Sequence, residues 1–179
     1  MISNTVTIFR LLLTLPFFAL LALNGPGWLA LGLFLACGLL DIVDGKLARH
    51  LGETSRLGAM LDLLGDRMLT LAAVMGLILA GTLSLPASMA ALVLIARCQT
   101  VSTFGEALGG PDRLTPSTFE HAKIALAFGG LGLMMAPAFW AQQAVLGEGL
   151  IYAAATLTLV TLAGYAIQAV KVLAPRPAN

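Results

Sequence analysis

Long apolar runs separated by short, turn-rich connections dominate the chain. Mostly apolar stretches cover residues 7–24, 27–44, 57–81, 84–107, 119–140 and 149–173. Each approaches the roughly 20 residues that an α-helix needs to cross a bilayer. The breaks carry helix-stopping residues: Asn24 to Gly27, Gly81 to Pro86, Gly109 to Asp112, and Gly147, Glu148 and Gly149. The pattern predicts an all-α, polytopic membrane protein with six transmembrane helices, forming a single membrane domain over residues 1–179. No soluble domain, linker or internal repeat is expected beside the spans. Within them, Pro16 and Pro137 are expected as helix kinks. Gly129, Gly130 and Gly132 are expected to form a packing face, and Trp28 and Trp140 to anchor at the interface.

Composition removes the main alternatives. Of 179 residues, 59% are hydrophobic and 11% charged, against about 25% charged in an average soluble domain. Mean hydropathy is +0.93. Disorder, nucleic-acid binding by bulk charge and an ordinary water-soluble core are excluded. Cys37 and Cys98 lie in apolar runs, outside any CxxC or Cys/His cluster, and read as small packing residues. The first run is not expected to be a signal peptide, because Arg10 is its only early cation and apolar segments follow it to the end.

The net charge of +1 says nothing about partners, but the placement of the charges does. Lys and Arg occur at the N-terminus, the 2–3 and 4–5 connections, the C-terminus, or the helix ends facing them. Connections 1–2, 3–4 and 5–6 carry none. Basic residues concentrate on the cytoplasmic side of membrane proteins, so an even number of spans puts both termini in the cytoplasm. One face of the membrane becomes the chemical face.

On that face stand Asp41, Asp44, Asp62 and Asp66, four carboxylates within 26 residues. Spacings of three and four residues put each pair on one helix face. The short connection near residues 46–56 turns the chain back, so the two faces can meet. Carboxylates at membrane depth are costly and mark function. Three readings stay open on the residues alone. The acids hold a hard divalent cation, which favours Mg²⁺ or Mn²⁺ chemistry on phosphates; or Arg49, Arg56 and Arg67 neutralise them; or they form an ion or proton pathway. Gly45, Ala48 and Gly58 clear space around the acids and favour a ligand slot.

Asp41, Asp44, Gly45, Ala48, Arg49, Gly58, Asp62 and Asp66, at this spacing, resemble the complete signature of the CDP-alcohol phosphotransferases. The resemblance implies a six-helix membrane enzyme that moves a substituted phosphate from a CDP-linked donor to an alcohol and releases CMP. Carried over position by position, Asp41, Asp44, Asp62 and Asp66 would ligate two Mg²⁺ or Mn²⁺ ions, and Asp66 would be the catalytic general base. Gly45, Ala48 and Gly58 would line the cytidine pocket, and Arg49 would contact a phosphate or orient an acid. Asn4, Thr7 and Arg10 match the Asn-x-x-Thr-x-x-Arg spacing of phosphatidyl-transferring members, where Asn and Thr approach the nucleotide and Arg a phosphate. Read without the family, that spacing is a helix cap and an interfacial Arg.

The resemblance further implies CDP-diacylglycerol as donor, membrane lipids as surroundings, a homodimer, and a bacterial inner membrane. The acceptor is a cytoplasmic polyol. Arg97, Arg113 and Lys123 gather at the 4–5 connection and suit a phosphorylated acceptor, or are the ordinary basic excess with snorkelling side chains. Glycerol-3-phosphate users often show Arg-Glu-x-x-x-Ser-x-x-Arg in span 4. Arg97 and Ser102 match it, but Cys98 and Gly105 do not. The segment from Arg56 through Gly58, Asp62 and Asp66 to Arg67 is similar to phosphatidylinositol synthases. Inositol or inositol phosphate is therefore the expected acceptor, with glycerol-3-phosphate the alternative. A cation transporter, the rival from another class, would spread its acids across membrane depth.

Overall fold

The computed structural model describes residues 2–51, 56–107, 120–138, 140 and 142–173. Within those helices it leaves out the side chains at 2–6, 42, 44–51, 56–57, 59–60, 62–63, 97–107, 120–121 and 165–173. The described residues form six helices and no strand: α1 (Ile2–Ala22), α2 (Gly27–Leu51), α3 (Arg56–Leu79), α4 (Leu85–Ala107), α5 (Glu120–Met135) and α6 (Gln143–Leu173). The all-α expectation holds. Among the described residues Gln143–Gly164 is long and apolar enough to cross a membrane. Thr7–Ala22, Gly27–Asp41, Leu85–Ala96 and Ala122–Met135 are shorter apolar helices.

Turn chemistry explains where the first connections fall. Asn24 has φ 54° and Gly81 φ 66°, the left-handed conformation that ends helices. Asn24 and Gly25 donate to the carbonyls of Leu21 and Leu20 (3.0 and 2.8 Å), and Gly81 and Thr82 donate to Ile78 and Leu77 (3.0 and 3.2 Å). These paired bonds satisfy orphan carbonyls at the ends of α1 and α3. Helix α4 opens on Ser84, whose Oγ accepts from Ala87 N at 3.4 Å.

Two expectations need correction. Gly147, Glu148 and Gly149 do not break the chain; they lie in the second turn of α6. A Cβ on Gly130 would sit 2.9 Å from the Gly147 carbonyl oxygen and 3.1 Å from Ile151 N. The glycines therefore let α5 and α6 approach closely, the usual role of small residues between membrane helices. Pro137 does not kink a helix either, because α5 ends at Met135. There the buried Gln143 side chain donates to the carbonyls of Leu133 and Ala136, at 3.0 and 3.1 Å.

Helix α1 packs extensively on α3 and on α2, α5 on α6, and α4 on α6, whereas α2 and α3 touch each other little. The core runs through a stack of rings, Phe17 on Phe34 (centroids 5.9 Å apart) and Phe34 on Phe128 (4.1 Å). The outward faces are apolar too: Leu12, Leu15, Met89, Val145 and Val160 are all exposed. On α1 the usual order is reversed. Ile8, Phe9, Leu12 and Leu15 face out, while Thr7, Arg10 and Thr14 are buried. Hiding polar residues and displaying apolar ones is the reverse of the order on a water-exposed helix and suits an apolar surround. Trp28 and Trp140 are exposed near the opposite end from the acids, as interfacial anchors are.

Candidate active site

Thr7, Arg10 and Thr14 follow one another at helical spacing along the buried stripe of α1. Arg10 is fully buried. A guanidinium cannot stay charged in a dry interior without partners, and acids on two other helices are among them. Arg10 Nη1 forms an ion pair with Asp41 Oδ1 on α2 and reaches Asp66 Oδ1 on α3 at 3.5 Å. The first and last acids of the sequence pattern thus converge on one cation borne by a third helix. The acid-bearing faces of α2 and α3 meet through α1, which packs on both, and the charge on Arg10 offsets the repulsion of the acids.

The rest of the site hangs on the same helices. Thr14 Oγ1 donates to the Arg10 carbonyl at 3.1 Å and Thr70 Oγ1 to the Asp66 carbonyl at 2.9 Å. Asp66 keeps 54% of its side chain exposed and Asp41 30%, so both acids open toward solvent. Gly58 is half-buried on the first turns of α3. Next to Asp66, Arg67 is half-buried, and its Nε and Nη2 are shielded from solvent without a hydrogen-bond partner among the described residues.

Several expected residues have backbone positions only. Asp44, Gly45, Ala48 and Arg49 lie on the turns of α2 beyond Asp41, Asp62 lies on α3 one turn before Asp66, and Asn4 lies on α1. Arg97 lies on α4, and Arg113 falls outside the described residues. Two of the four acids can therefore be placed, and among the described residues no larger group of metal-ligand side chains forms. Lys123 is buried on α5, and its Nζ donates to Thr161 Oγ1 of α6 at 2.9 Å. The snorkelling alternative does not hold for it. Thr161 is braced in turn on the carbonyls of Leu157 and Thr158, each at 3.0 Å.

Sequence reasoning missed Gly65, over which the Arg10 guanidinium lies. A signal existed: Gly65 stands seven residues after Gly58 and next to Asp66, on the same stripe of α3. It also missed Thr161, which ordinary helix composition hides.

Comparison with known proteins places this arrangement. A protein of Escherichia coli named CDP-diacylglycerol--glycerol-3-phosphate 3-phosphatidyltransferase is 31% identical over 175 residues, 92% of each chain. The fold is similar to that of Mycobacterium tuberculosis phosphatidylinositol phosphate synthase. The structure with CDP-DAG bound has a TM-score of 0.74 and 18% identity, over 99% of this chain and 92% of that one. The complex with manganese and citrate also gives 0.74, with 19% identity over 98% and 87%. The family model for CDP-alcohol phosphatidyltransferase matches residues 1–166. With that match spanning nearly the whole chain, this protein belongs to the CDP-alcohol phosphatidyltransferase family and is a transferase of phosphate-containing groups in phospholipid biosynthesis.

Proposed function

We propose that the chain transfers a phosphatidyl group from CDP-diacylglycerol to a phosphorylated polyol and releases CMP. The observation that carries the reading is the convergence of Asp41 and Asp66 on one cation across three helices. Carboxylates drawn from separate helices to one positive centre are a donor set that suits a hard divalent ion. Asp41 and Asp66, joined by Asp44 and Asp62 from the same helices, would hold Mg²⁺ or Mn²⁺. When bound, such ions neutralise the diphosphate and stabilise the departing CMP.

The chain's own residues supply the rest. Asp66, with half its side chain open to solvent, accepts the proton of the acceptor hydroxyl. The hydroxyl oxygen bonds to the phosphorus nearest the lipid as the bond from that phosphorus to the CMP oxygen breaks. Arg10, Asn4 and Thr7 approach the donor, with Gly45, Ala48, Arg49 and Gly58 beside the cytidine. The site faces the cytoplasm, six helices cross a bacterial inner membrane, and residues 1–179 form one domain.

Glycerol-3-phosphate is the acceptor we place first, because the E. coli relative named for it matches along 92% of this chain. Inositol phosphate is the second reading, favoured by the segment from Arg56 to Arg67. Both carry the phosphate that Arg97, Arg113 and Lys123 would meet, and free inositol does not. The test is radiolabelled phosphatidyl transfer from CDP-diacylglycerol, with Mg²⁺ or Mn²⁺, to glycerol-3-phosphate, inositol phosphate, inositol or serine. Metal-dependent CMP release with one labelled lipid product establishes both class and acceptor. No CMP with any acceptor, from folded protein, would overturn the transferase reading with this donor.

A further inference from the structure

The cation between the two acids is seated on a residue that the functional reading does not use. Gly65 is buried on α3, directly before Asp66. A Cβ placed on it would overlap Arg10 Nη2 and lie 3.0 Å from both Cζ and Nε. The whole guanidinium thus rests where a side chain at position 65 would otherwise begin. From that seat Nη1 meets Asp41 on one side and reaches Asp66 on the other.

The overlapping atoms are the far end of a flexible side chain, so an added methyl would move the guanidinium more readily than the helices. Gly76 offers the contrast. Eleven residues on and near the same face of α3, its Cβ would meet the Cβ of Leu21, 2.7 Å away on α1. Crowding at Gly76 strains helix packing; crowding at Gly65 relocates a charge.

We propose that Gly65 is a positioning residue: its missing side chain seats the Arg10 guanidinium between the first and last acids and so sets how those two carboxylates face each other. The role of the acids as metal ligands rests on the functional reading above; the seat itself does not.

The test uses the full chain in lipid nanodiscs as wild type, Gly65→Ala, Arg10→Gln, the double variant and Gly76→Ala. Two quantities are followed: Mn²⁺ affinity, from the paramagnetic resonance of free Mn²⁺, and the thermal unfolding midpoint without added metal. Gly65→Ala is expected to weaken Mn²⁺ binding about ten-fold, the scale seen when a residue supporting metal ligands is lost, and to lower the midpoint. In the Arg10→Gln background the same methyl is expected to change affinity by less than about two-fold. Gly76→Ala should lower the midpoint while leaving Mn²⁺ affinity within about two-fold. Unchanged or tighter Mn²⁺ binding in Gly65→Ala overturns the proposal, as does an equal effect in both backgrounds. If Gly65→Ala fails to fold, recovery in the double variant supports the seat and continued failure overturns it. If the wild type binds no Mn²⁺, the functional reading fails and the midpoints decide alone: a loss that depends on Arg10 supports the seat, and one that does not refutes it.

Discussion

Arg10 makes the acids of this site compatible with one another. Two carboxylates drawn together near a membrane interior repel, and the guanidinium between them offsets that repulsion. Stripping one partner from a fully buried ion pair costs about 3–5 kcal/mol. Here Arg10→Ala should cost less, because Asp41 and Asp66 keep solvent contact, and thermal unfolding in detergent will measure it. Arg10→Lys should recover only part of the loss, since an ammonium cannot bridge two acids as a planar fork does. Asp66→Asn separates chemistry from binding. It removes the proton acceptor while keeping the shape, so turnover should fall by at least about 10²-fold with Mn²⁺ binding partly retained. Wild-type-like turnover would take Asp66 out of the base role.

Between α5 and α6 the contact is made by glycine against backbone, and this predicts an asymmetry. Gly130→Ala drives its methyl against the Gly147 carbonyl oxygen and Ile151 N, neither of which can move without its helix. Gly147→Ala meets mainly the Met134 sulfur, 2.7 Å away at the end of a flexible side chain. Unfolding midpoints should show a loss of about 1–3 kcal/mol for Gly130→Ala and much less for Gly147→Ala. At the same end, Glu148 of α6 accepts from Ser84 N and Ser84 Oγ, both at 2.9 Å. It thereby ties the start of α4 to α6. Glu148→Ala should cost about 1 kcal/mol, the usual value of a helix cap.

The molecule as a whole is polarised. Among the described side chains, Arg10, Asp41 and Asp66 meet at one end and Glu148 lies at the other, and large apolar side chains cover the outer faces. If that polarity reflects membrane orientation, cysteines at Asn24 and Thr82, in a background lacking Cys37 and Cys98, will react with an impermeant thiol reagent added outside intact cells. Labelling of either only after the membrane is opened would reverse the proposed sidedness.

Much of this protein was legible in its residues because the relevant signals are local. Helix existence follows from the length of apolar runs, and ends from Asn24 and Gly81 in the left-handed conformation. The acid pattern from Asp41 to Asp66 carries its own spacing along α2 and α3, so family and chemistry were readable without coordinates. What the residues did not reveal depends on which helices are neighbours. The break expected at Gly147 was misplaced because a glycine that stops a chain and one that admits a neighbouring helix look alike in sequence. The kink expected at Pro137 was misplaced because α5 has already ended at Met135. That Arg10 sits between two acids follows only from α1 packing against both α2 and α3. That Lys123 reaches Thr161 and not the surface follows only from α5 packing on α6. Periodicity along one helix is set by bonds within it, whereas the partner of a buried charge is chosen by desolvation and close approach between helices far apart in the chain.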